Sequence, residues 1–74
     1  MTEKKKLERV TINLIPRAAE ALALAVDLTQ DSKTDTINHA IQIYSFLMSE
    51  VISNGKEILI CKPGASHGQR IVLP

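Results

Sequence analysis

Arg9-Val10-Thr11-Ile12-Asn13-Leu14 alternates polar and apolar side chains, and Pro16 follows almost at once. A period of two marks a half-buried strand, predicted here over residues 8–14. Val10, Ile12 and Leu14 then face one way, and Arg9, Thr11 and Asn13 the other. The β-branched residues at 10, 11 and 12 favour the extended form. A lone strand has two unpaired edges and must find a partner. No second strand lies nearby in the sequence, so the simplest partner is the same strand of a second copy.

From Pro16 onward the period is helical. Proline suits the first helical position because its missing N–H would have no intrahelical acceptor there. Alanine and leucine then dominate as far as Leu28, and both are strong helix formers. A helix is predicted over 16–29, with Leu22, Ala25, Val26 and either Leu28 or Thr29 on its inner side. Gln30-Asp31-Ser32-Lys33 reads as a turn. Ser32, with Asp35 three residues later, matches a capping box and opens a second helix over 33–52. Its apolar positions Ile37, Ala40, Ile41, Tyr44, Leu47, Met48, Val51 and Ile52 recur at threes and fours. Asn54 or Gly55 can take the left-handed conformation that ends it. Residues 56–62 and 69–73 read as two strands around a loop, making a C-terminal hairpin over 56–73.

A chain of 74 residues is one domain at most and buries a modest fraction of its surface alone. Its single cysteine, Cys61, excludes an internal disulfide. With only His39 and His67 besides, no metal site is expected. Hydrophobic residues make up 45% of the chain, more than a disordered sequence carries. A second copy is therefore expected to complete a shared core. Its residues would be Val10, Ile12, Leu14, Leu22, Ile37, Ile41, Tyr44, Leu47 and Met48.

Charge is distributed unevenly. Residues 1–14 hold four bases and two acids, a net of +2; residues 15–55 hold two bases and five acids, a net of −3; residues 56–74 hold three bases and one acid, a net of +2. An anionic partner should meet the basic arm at 1–7 and the adjoining strand. No stretch approaches the roughly 20 apolar residues of a membrane span. The basic start leads into an alternating segment rather than an apolar run. No membrane partner is expected, and the expected location is the cytoplasm.

No catalytic set stands out. Asp27, Asp31 and Asp35 straddle a turn rather than sharing a helical face. Ser66 and His67 lack an orienting acid nearby, and the glycines form no phosphate-binding loop. Neither an enzymatic activity nor a cofactor is expected.

The order strand, helix, helix, with Thr11-Ile12-Asn13-Leu14 and Ser32-Lys33-Thr34-Asp35-Thr36-Ile37, resembles the ribbon-helix-helix family of small CopG-like and Arc-like repressors and antitoxins. The likeness spans residues 7–52 and leaves out the hairpin. It implies a small α/β domain, a β-α-α homodimer whose two strands pair as an antiparallel ribbon. It further implies sequence-specific binding of double-stranded DNA and transcriptional repression. By position, Arg9, Thr11 and Asn13 would contact bases in the major groove, which admits such a ribbon. Ser32, Lys33 and Thr34 would hold a phosphate at a helix N-terminus. Lys4, Lys5 and Lys6 would add salt-sensitive attraction to the backbone. The family's inter-helix turn commonly contains glycine, and Asp31 stands there instead.

The alternative reading is an antitoxin or other protein-interaction module whose C-terminal segment binds a partner protein such as a toxin. Antitoxins of this family usually carry that segment as a long disordered tail, whereas residues 56–73 read as strand-like.

Overall fold

A computed structural model describes residues 7–73. The described elements run α1 (Pro16–Thr29), α2 (Lys33–Met48), a π-helical turn (Ser49–Ser53), β1 (Ile58–Ile60) and β2 (Gln69–Ile71). Among the described residues the helices come first and the one sheet lies toward the C-terminal end. Lys4, Lys5 and Lys6 lie outside the described residues.

This order corrects the ribbon-helix-helix expectation. Residues 7–15 enter no strand ladder, so the β-α-α topology and its intermolecular ribbon are not what the chain presents. The backbone at Ile15 is extended, with φ −69° and ψ 157°. Extension alone does not make a strand, because a strand is defined by hydrogen bonds to a neighbour. The alternation at 9–14 specifies which side chains share a face, and supplies no partner within the chain.

The helices begin and end for local reasons. Pro16 occupies the first turn of α1, and Ala19 N–H donates to Ile15 O at 2.9 Å. Gln30 closes α1 in the left-handed conformation, at φ 64°. Thr29 Oγ1 donates to Ala25 O at 2.9 Å and accepts from Asp31 N–H at 3.2 Å. Ser32 caps α2 by accepting from Asp35 N–H at 3.0 Å. The helical period continues to Ile52, yet the α-helix stops at Met48 and the last turn widens to a π turn. Gly55, at φ 64°, then reverses the chain, whereas Asn54 stays at φ −111°.

The hairpin is antiparallel, with Ile58 opposite Ile71, Leu59 opposite Arg70 and Ile60 opposite Gln69. Its loop contains Lys62-Pro63-Gly64-Ala65, closed by Ala65 N–H donating to Lys62 O at 3.0 Å. Proline followed by a glycine at φ 79° fits a type II turn.

Helices and hairpin enclose little. Among the described residues no hydrophobic side chain is buried, and Thr36 is the only buried residue of any kind. The radius of gyration is 15.5 Å, against about 11 Å for a compact domain of this length.

Candidate functional site

Two apolar surfaces remain open. The first is a groove where α1 and α2 meet the extended segment. It is lined by Ile12, Leu14, Leu22, Ile37 and Ile41, among others. These belong to the shared core expected from the sequence, and within this chain they cover nothing. Val10 is 68% exposed and Ile41 62%. Tyr44 is also exposed, and Leu47 and Met48 are half-buried.

The second surface is a concavity between the end of α2, the π turn and the hairpin. Met48, Val51, Ile58, Ile71, Val72 and Leu73 line it together with the charged residues Lys56, Glu57 and Arg70. Period-two geometry explains the isoleucines among them. Ile58 and Ile71 face each other across the hairpin and lie half-buried on the side of the π turn. Ile60 shares that face but sits farther out and is 61% exposed. Leu59 stands opposite Arg70 in the register, and Arg70 reaches the concavity as one of its lining residues.

Two exposed ion pairs accompany this unit, one between the π turn and the residue after Gly55 and one within the hairpin region. Exposed pairs of this kind contribute little to stability. Lys56 Nζ lies 2.6 Å from Glu50 Oε1, and Arg70 Nη1 lies 3.2 Å from Glu57 Oε2. Lys56 N–H also donates to Glu50 O at 3.1 Å, and Asn54 Nδ2 reaches Glu50 Oε2 at 3.4 Å. Glu50 is thereby the post to which the chain reversal at Gly55 is tied. The Lys56 hydrogen bond holds the Glu50 carboxyl below its ordinary value of 4.5; desolvation opposes it, and the Lys56 charge and the Asn54 hydrogen bond add smaller lowering effects. The sequence reading assigned Glu50 no role. The signal was present as Glu50 and Asn54 four residues apart, a spacing that neighbours on a helix share, whereas Lys56 meets Glu50 only because the chain reverses at Gly55.

The residues expected to touch DNA are exposed and dispersed. Arg9, Thr11 and Asn13 lie on the segment without a ladder. Ser32 Oγ is engaged by Asp35 N–H, while Lys33 and Thr34 are exposed. Asp31 pairs with His39 at 3.6 Å beside the same helix start, which puts acidic groups where a phosphate was expected. Without the ribbon, the expected partners, DNA and a strand-paired second copy, lose their structural basis, and with them the description as a DNA-binding repressor.

Among the described residues no group of three His, Cys, Asp or Glu side chains is placed to hold a metal. No described helix is long and apolar enough to cross a membrane. Comparison with protein-family models, curated proteins and solved structures found no match.

Proposed function

We propose that this chain is a protein-interaction module whose C-terminal unit, from Met48 to Leu73, docks a partner protein. The observation that carries this reading is the absence of any buried hydrophobic side chain among the described residues. Burial of apolar surface is the dominant favourable term in folding and in most protein association. The chain exposes 7053 Å², against about 4,500 Å² for a compact monomer of its mass. The excess, roughly 2,500 Å², is on the scale that obligate interfaces remove from solvent. The C-terminal unit is favoured as the docking site because it joins an apolar concavity to charged side chains beside it. The role is binding without catalysis. The exposed thiol of Cys61 suits a reducing compartment, and the cytoplasm is the proposed one.

A photo-reactive residue placed at Val72, which is 80% exposed, tests the reading in the chain's host cell. One placed at Glu20, on the exposed side of α1, serves as control. Val72 should yield an adduct of defined mass with another protein, and Ile58→Asp should remove it. Equal labelling from both positions, or no adduct from Val72, would reject the docking role.

A further inference from the structure

Two backbone donors compete for the carbonyl oxygen of Glu50. The N–H of Lys56, beyond the chain reversal, donates to it at 3.1 Å. In a continuing α-helix the N–H of Asn54 would take that place. The local sequence permits the α form, since residues 49–53 contain neither glycine nor proline and extend the apolar period of α2. They form a π turn instead, a rare conformation that appears mostly as single turns, frequently at functional sites.

The π turn seats the hairpin. It leads into Gly55 at φ 64°, and the reversed chain sets Ile58, Ile71 and Leu73 around one concavity with Met48 and Val51. All of these are half-buried. Among the described residues, Glu50 makes every hydrogen bond and ion pair that joins the helical part to residues 56–73. One post and a small apolar cluster therefore hold the hairpin in place. The seat leaves little room. The concavity measures about 240 Å³, below the roughly 300–1,000 Å³ of a small-molecule pocket. A partner's side chain can enter it, but a helix or strand cannot while the hairpin is seated.

We propose that Ser49–Ser53 is a two-state hinge that governs access to this concavity. In the π form Lys56 N–H holds the Glu50 carbonyl, and the hairpin covers Met48 and Val51. In the α form that carbonyl passes to Asn54 N–H, α2 continues through Ser53, and the hairpin lifts as an intact unit. The lifted form offers a partner apolar side chains that the seated form covers, so binding shifts the population toward it. The inference rests on the docking role proposed above and specifies how that site is regulated.

The test is nuclear magnetic resonance of the full chain in three forms: the parent, Gly55→Ala, and D-alanine at the same position. An L-alanine Cβ there meets nothing within 4 Å, so the substitution acts through backbone preference. L-Alanine disfavours the positive φ and favours helix, whereas a D-residue favours the positive φ. Couplings measured through hydrogen bonds identify which N–H holds the Glu50 carbonyl. In the parent it should be Lys56, with microsecond-to-millisecond exchange at residues 49–56. The D-alanine form should keep Lys56 and lose the exchange. Gly55→Ala should replace Lys56 by Asn54 and remove methyl contacts between Val51 and Ile58, while Ile58 stays paired with Ile71.

In the host cell, Gly55→Ala should raise the yield of Val72 adduct several-fold, as more of the chain becomes competent to bind. A Gly55→Ala chain that loses the Lys56 coupling without gaining that of Asn54 is merely destabilised, and would overturn the hinge. So would retention of Lys56 in that variant. Transfer to Asn54 with an unchanged or lower adduct yield would overturn the regulation. Failure of the docking role reads differently: the parent and Gly55→Ala both give no Val72 adduct, whatever donor holds Glu50.

Discussion

Gln30 holds a conformation that most side chains avoid. Its φ is 64°, and for an L-residue the left-handed region is unfavourable by roughly 1–2 kcal/mol. The strain is offset locally, since Gln30 N–H donates to Val26 O and Nε2 to Asp27 O, both at 2.7 Å. Nothing about glutamine announces this role, because glycine or asparagine usually fills it. Gln30→Gly should therefore raise helix content, and Gln30→Val should lower it, with the valine form less stable by about 1 kcal/mol or more. Far-ultraviolet circular dichroism under one set of conditions ranks the three. Equal helix content in the valine variant and the parent would mean that the turn at Gln30 is not formed in solution. Ser32, by contrast, was legible from its type and from Asp35 three places on, and it caps α2 as read.

At the scale of elements, local signals located the helix starts and the hairpin, while non-local ones did not locate the first strand. Pro16 and Ser32 act on their own turns, so sequence suffices to find them. The alternation at 9–14 records which side chains share a face, but a ladder needs a second strand that no local pattern supplies. The π turn was likewise hidden, because Ser49 to Ile52 continue the helical period and the widening shows only in three dimensions. Its tie to the hairpin is sensitive to pH. Glu50 is held below 4.5 by Lys56, so its contribution is fully present above that unfolded value. It is lost as pH falls through the lower, folded value. A carbon-13 titration of the Glu50 carboxyl should give a midpoint under 4.5, and Lys56→Gln should return it toward the ordinary value. A parent midpoint at or above 4.5 would show that the clamp is not closed in solution.

The whole molecule is dominated by apolar surface without a cover. Stability of an element rests mainly on the packing of its apolar face, and both helices leave theirs open. The isolated chain should bind an apolar dye such as ANS and melt over a broad range. Calorimetry with dye fluorescence checks this: a monomer that melts sharply and binds no dye would have no need of a partner. The sequence by itself determined where α1 and α2 begin and that a hairpin follows, because capping residues and side-chain periods act over a few neighbouring positions. It also showed 45% hydrophobic residues in a chain of 74, and so a demand for burial. Only the tertiary structure decided how that demand is left. Ile12 and Ile41 line an open groove, Ile58 and Ile71 line an open concavity, and residues 7–15 join no sheet. Pairing and burial depend on contacts between distant residues, or on another molecule, and the order of amino acids along one chain does not contain the second surface.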